Sequence, residues 1–224
     1  MNFQIDHAPV YSTLRVDMRQ GEQFRAEAGA MISMSPTIEL AATSSGRGIM
    51  GTLKAAVGGE SIFASMYTAA YGDGEVVLAP ATPGDIVQLD LRNETWFAQR
   101  GAYLAGDPAL TLGTQGSIKA LISGEGLFLS KIAGTGMLFL NSFGAIYHRD
   151  LAMGERYVVD TGHIVAFPSS VTYSIRKAAS GLFSTLASGE GLVCEFMGPG
   201  RIYMQTRNVR ALAGLLQPFL HTGS

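Results

Sequence analysis

This chain is poor in charge. Asp, Glu, Lys and Arg make up 15% of its residues, where about 25% is usual in globular domains. A surface so poor in charge is hard to cover with polar groups. The chain therefore needs a large core, or an apolar patch that a partner covers. We expect self-association into a homo-oligomer, with a trimer as the first guess. The net charge of −2 leaves no footprint for a phosphate backbone, which excludes DNA and argues against RNA. Cysteine occurs once, within Leu192-Val193-Cys194-Glu195-Phe196. One thiol staples nothing, so the fold depends on its core and fits a reducing compartment. With Val193 and Glu195 beside it and no base, Cys194 reads as a small buried hydrophobe rather than a nucleophile.

Other absences narrow the function. The start, Met1-Asn2-Phe3-Gln4-Ile5-Asp6, has no basic or apolar leader region, so no signal peptide is expected. No uninterrupted apolar run reaches about 18 residues. A cytoplasmic protein is the expectation. The histidines His7, His148, His163 and His221 form no His-x-His or His-x₃-His pair, and a metal site needs several ligands on one rigid patch. His163 stands where related turns carry Ala30 and Ala102, and reads as a surface residue. There is no Gly-x-Ser-x-Gly elbow and no P-loop. Gly46-Arg47-Gly48-Ile49-Met50-Gly51 matches the dinucleotide fingerprint but stands in no strand-turn-helix context, so it is read as chance. No catalytic, cofactor-binding or metal-binding residue is expected, and the chain does not read as an enzyme.

What the chain has in abundance is glycine, 28 in 224 residues, and the glycines recur in phrases. Gly59-Glu60-Ser61-Ile62-Phe63 returns as Gly124-Glu125-Gly126-Leu127-Phe128 and as Gly189-Glu190-Gly191-Leu192-Val193, 65 residues apart each time. A second phrase follows each copy: Gly72-Asp73-Gly74, Gly134-Thr135-Gly136 and Gly198-Pro199-Gly200. Upstream, Gly21-Glu22-Gln23-Phe24 and Gly29-Ala30-Met31-Ile32 match Gly154-Glu155-Arg156-Tyr157 and Gly162-His163-Ile164-Val165, with a looser copy at Trp96-Phe97 and Gly101-Ala102-Tyr103-Leu104. A fixed period is the signature of a repeat architecture. The segments between glycines, such as Asp85 to Leu91, Glu155 to Asp160 and Arg201 to Thr206, are short and rich in β-branched and aromatic residues, as strands are. Before each Gly-Glu phrase lies a stretch with helical spacing: 51–57, 116–122 (with Ile118, Leu121 and Ile122) and 181–187. Val209, Leu212, Ala213, Leu216 and Leu220 mark a terminal amphipathic helix, broken near Pro218.

The expectation is an all-β chain of one domain. Three repeats, about 1–80, 81–145 and 146–208, are arranged around a pseudo-threefold axis, with short helical connectors and a C-terminal helix over 209–220. If the repeats share such an axis, Glu60, Glu125 and Glu190 occupy equivalent places. There they would either converge on a cation and raise one another's pKa or cap turns facing water.

The phrases at 58–63, 83–87 (Pro-Gly-Asp-Ile-Val), 123–129, 160–167 (Asp-Thr-Gly-His-Ile-Val-Ala-Phe) and 198–207 (Gly-Pro-Gly-Arg-Ile-Tyr-Met-Gln-Thr-Arg) resemble the bacterial branch of a mitochondrial-biogenesis family, the one named for altered inheritance of mitochondria and long known as a domain of unknown function. The resemblance covers almost the whole chain. It implies a fold like that of the tryptophan RNA-binding attenuation protein, TRAP: shallow β-sandwich units, here triplicated, that tend to assemble as homo-oligomers. It carries over no catalytic residues. The leading functional expectation is a non-enzymatic oligomeric scaffold or binding protein. A module binding a small molecule, an amino acid or nucleotide, is the alternative, by analogy of fold alone. RNA binding through Arg201, Arg207 and Arg210 and membrane contact through the C-terminal helix are weaker, because both want a more basic surface.

Overall fold

The computed structural model describes residues 1–43, 64–115, 129–177 and 192–220. Short apolar segments between glycine turns become strands because β-branched and aromatic side chains fill a half-buried pleat. The first group is β1 (Asn2–Asp6), β2 (Thr13–Met18), β3 (Gln23–Glu27), β4 (Met31–Met34), β5 (Glu39–Thr43), β6 (Ala64–Thr68) and β7 (Gly74–Leu78). The second is β8 (Ile86–Gln99), β9 (Tyr103–Gly106), β10 (Thr111–Gln115) and β11 (Leu129–Asn141). The third is β12 (Ile146–Leu151), β13 (Arg156–Asp160), β14 (Ile164–Pro168), β15 (Thr172–Lys177), β16 (Leu192–Met197) and β17 (Gly200–Gln205). One helix, α1 (Val209–Leu216), and a 3-10 turn over Gln217–Phe219 follow. The protein is all-β with a C-terminal helix. The stretches 51–57, 116–122 and 181–187 lie outside the described residues.

Every ladder is antiparallel, and the same pairings occur in each group. β6 lies between β3 and β5, with Ala64 opposite both Glu27 and Thr43. In the second group β11 lies between β8 and β10, with Leu129 opposite Gln99 and Gln115. In the third β16 lies between β13 and β15, with Val193 opposite Asp160 and Arg176. A second trio has β7 between β2 and β4, β11 between β8 and β9, and β17 between β12 and β14. Leu78, Leu140 and Met204 face Met31, Tyr103 and Ile164 there, and each ladder shifts register at the next residue, around Ile32, Leu104 and Val165.

Two further ladders join the groups. β9 pairs with β3, setting Ala105 opposite Ala26 and Gly106 opposite Arg25. β14 pairs with β8, setting Ala166 opposite Ala98 and Phe167 opposite Phe97. A ring closed about a threefold axis would join β4 to β13 in the same way. Among the described residues no ladder does so: β4 ends one sheet and β13 ends another. The described strands thus form a row with two open ends.

The cores follow the ladders. The first cluster combines Leu14, Val16, Phe24, Tyr67 and Leu78 with Leu104, Ala105 and Phe139 of the second group. The next combines Leu91, Trp96, Ile132 and Leu140 with Val165, Ala166 and Tyr203 of the third. The last, around Phe167, Phe196, Ile202 and Met204, takes nothing from the described residues of the first group.

The connecting segments lie side by side. Ser12 donates its N–H to Gly84 O at 3.0 Å, Asp85 to Gly144 O at 3.1 Å, Gly144 to Pro83 O at 2.9 Å, and Arg207 to Phe143 O at 3.2 Å. Gly84 and Gly144 form a parallel bridge. Only glycine permits that approach, because a Cβ on Gly84 would sit 1.8 Å from the Ser142 carbonyl oxygen.

The glycine phrases behave differently in the three groups. Gly72 and Gly198 fall between strands, whereas β11 runs straight through Gly134-Thr135-Gly136 with a register shift against β8. The expected middle turn is continuous strand, and the bulge lies opposite it on β8, where Asn93 falls between the Glu94–Gly134 and Arg92–Thr135 pairs. Gly29 and Gly101 turn with φ of +89° and +84°, which side chains with a Cβ rarely adopt. Their counterpart Gly162 sits in a 3-10 turn over Thr161–His163 instead, with Asp160 accepting its N–H.

Candidate functional site

Those residues singled out by sequence that are described do not gather into a chemical site. Glu60, Glu125 and Glu190, and also His221 and Gly46 to Gly51, lie outside the described residues. Among the described residues no three His, Cys, Asp or Glu side chains gather as metal ligands would. His163 is half-buried, and its Nδ1 lies 2.8 Å from Gln205 O. Cys194 is fully buried, and burial pushes its thiol up to about 12, as expected of an inert packed sulfur. Of the three C-terminal arginines, Arg201 is held by both oxygens of Asp150, at 2.6 and 2.8 Å. That bond holds the Asp150 carboxyl below its ordinary range. A shallow depression on β13, β15 and β16 is lined by Arg156, Thr172, Tyr173, Ser174, Glu195 and Met197. Its charges satisfy one another, because Glu195 takes Arg156 at 3.1 Å and Arg176 at 3.2 Å.

One carboxylate stands apart. Glu27 ends β3, beside the seam with β9, and is half-buried with no described side chain donating to it. Burial pushes its pKa from 4.5 up to about 7. Nearby Tyr103 is pushed up to about 12 by burial, and its hydroxyl donates to Arg25 O at 3.2 Å. Below pH 4.5 the Glu27 carboxyl is protonated in the folded and unfolded chain alike, and its burial costs little. Between that pH and about 7 the unfolded chain gives up the proton first, so folding stability falls as pH rises. The penalty is complete above the folded value. We expect Glu27→Gln to gain about 2 kcal/mol at pH 8 and almost nothing at pH 4, as read by urea unfolding at the two pH values.

The features that stand out are surfaces. β4 is exposed along its whole length. Ile32 is 57% exposed, whereas Leu104 and Val165, which occupy the same ladder position in β9 and β14, are 0% exposed. Leu104 is covered by the first group's core and Val165 by the second's. At the other end of the row, β13 among the described residues bonds only to β16, and it exposes Val158. α1 is well formed: Asn208 caps it, its Oδ1 accepting from Arg210 N and Ala211 N. It nevertheless buries no side chain. Val209, Leu212, Leu215, Leu216, Phe219 and Leu220 are all open to solvent. Periodicity shows the helix in the sequence. It does not show the open edges, because β4 reads like β9 and β14 until neighbours are counted.

Residues 3–207 match the family model described as Mitochondrial biogenesis AIM24. An uncharacterized protein of Streptococcus pyogenes serotype M6 is 34% identical over 233 aligned positions, covering 100% of this chain and 93% of that protein. A crystal structure of a Streptococcus pyogenes protein, a structural genomics target, superimposes with a TM-score of 0.82 at 32% identity, covering 98% of this chain and 99% of that one.

Proposed function

The chain belongs to the mitochondrial-biogenesis family, and from that premise we propose that it is a non-enzymatic, cytoplasmic scaffold that assembles head to tail from copies of itself. Each chain is a row of three like units, about 1–80, 81–145 and 146–208, of the shallow TRAP-like sandwich type. The matching trios of strands, with matching register shifts, support that division. The row stays open, and it joins a second copy by β4 of one chain pairing with β13 of the next. Three copies are the first expectation for the closed particle.

One observation carries this reading. The β9–β3 and β14–β8 ladders use one kind of edge against one other kind, and among the described residues one strand of each kind, β4 and β13, has no ladder on that edge. Such edges are templates for pairing with another chain, and unlike ends joined head to tail close into rings when the rotation permits. Transferring the internal register sets Met34 of one copy opposite Val158 of the next.

Sedimentation of the parent protein should give a multiple of the 23.7 kDa chain mass. Ile32→Glu places a charge where the internal counterparts are dry, and should weaken association at least a hundredfold. Circular dichroism should not change, since Ile32 is exposed within its own chain. Met34→Cys combined with Val158→Cys should cross-link between chains on oxidation. A parent that sediments as one chain at micromolar concentration would refute the reading.

A further inference from the structure

α1 carries an apolar stripe that its own chain leaves bare, and the connecting segments indicate what lies over it. Each connector runs from the last strand of one group to the first strand of the next: 79–85 from β7 to β8, and 142–145 from β11 to β12. These segments lie in a row. Ser12, just before β2, bonds to Gly84, Asp85 bonds to Gly144, and Thr206 and Arg207 bond to Ala145 and Phe143. Residues 206–208 therefore leave β17 along the path that a connector takes toward a following group. At Asn208 that path turns into α1.

The root of α1 is fixed. Asn208 packs so closely on Gly162 that a Cβ there would meet its Nδ2 at 2.1 Å. Gly162 lies two residues past the end of β13, whose outer edge has no ladder among the described residues. The helix thus starts beside the junction and heads along the path toward the next unit. In a head-to-tail assembly that next unit is the first group of a second copy. Its own segment before β2 occupies the matching place in the row, and there Val10 and Tyr11 are exposed, Tyr11 at 71%. Both chain ends of the junction are apolar, and neither is covered within its own chain.

We propose that the apolar stripe of α1, from Val209 through Leu212 and Leu216 to Phe219, packs over the Val10–Tyr11 segment of a second copy and seals the β4–β13 junction. This rests on the head-to-tail reading. The occupant is a second copy because the helix extends the same row of connectors that the internal junctions use. Covering side chains of this size adds apolar contact to backbone pairing, so the helix acts as a clasp on the strand ladder.

The test compares the full-length parent with Leu212→Glu/Leu216→Glu and, separately, with Tyr11→Ser, by sedimentation velocity across a concentration series. Vesicles of anionic and of zwitterionic phospholipid serve as a parallel arm. The helix variant should associate at least tenfold more weakly than the parent, Tyr11→Ser should weaken association in the same direction, and the strand content should stay the same. Oxidation of Tyr11→Cys/Leu216→Cys should give inter-chain cross-links. A monomeric parent overturns the head-to-tail reading together with the clasp. An assembled parent whose association is untouched by the helix charges overturns the clasp alone. Loss of anionic-vesicle binding in the helix variant, with association unchanged, likewise overturns it and assigns the stripe to lipid.

Discussion

Phe139→Ala should cost about 4 kcal/mol, the middle of the range for a buried aromatic cut to alanine. Phe139 lies on β11 but packs with the first group, 4.9 Å from Phe3 and 6.1 Å from Phe24 between ring centres, and is wholly buried. Those rings are tilted or edge-on to it, which adds to area burial. The void cannot collapse easily, because β11 is held along its length by β8 on one side and by β9 and β10 on the other. Thermal melting at matched protein concentration should drop by roughly 10 °C for a chain of this size. Unfolding in urea with an unchanged midpoint would show that the first core does not depend on this seam.

Gly84→Ala should cost about 3 kcal/mol although it adds a single methyl. The methyl would lie 1.8 Å from the Ser142 carbonyl oxygen and 2.7 Å from its carbon. Both neighbours are backbone, so neither can swing aside as a flexible side chain would. Overpacking of this kind costs a few kcal/mol. The forced shift also strains the Ser12–Gly84 and Asp85–Gly144 hydrogen bonds, each worth about 1 kcal/mol net. Gly113→Ala makes the control, since the nearest atom to a Cβ there is 3.9 Å away. Equal stability of the two variants in denaturant would mean that the connector row relaxes freely. If the row also guides α1 onto a second copy, Gly84→Ala should weaken association as well.

Much of the fold is legible in the residues themselves. Glycines at regular intervals between β-branched runs fix an all-β chain, because each tight turn needs a residue without a Cβ and each run fits a pleat. The helix at the C-terminus is legible too: Val209, Leu212 and Leu216 recur at helical spacing, Asn208 supplies the cap, and Pro218 marks where regular helix gives way to a 3-10 turn. The burial of Cys194 follows from its apolar neighbours. Local spacing carries such features because they depend on residues close in sequence.

Other features depend on residues far apart and were decided by tertiary structure. Gly134-Thr135-Gly136 reads like its turn-forming counterparts, yet it stays inside one long strand, because β8 pairs with it throughout and takes up the extra residue, Asn93, in a bulge of its own. Glu27 looks like any surface acid on a strand, and its burial in the packed chain is what raises its pKa. Ile32, Leu104 and Val165 look interchangeable, since each follows a turn and faces a strand in the same register. Whether such a residue is dry or bare depends on the group beside it. Among the described residues that group is supplied within the chain for Leu104 and Val165, and for Ile32 it is not. Periodicity and backbone preference, which are local, set the strand segments, most of the turns and the terminal helix. Tertiary structure alone decided which strand edges are satisfied and which stay open, because hydrogen-bonded neighbours and burial belong to the packed arrangement rather than to any one segment.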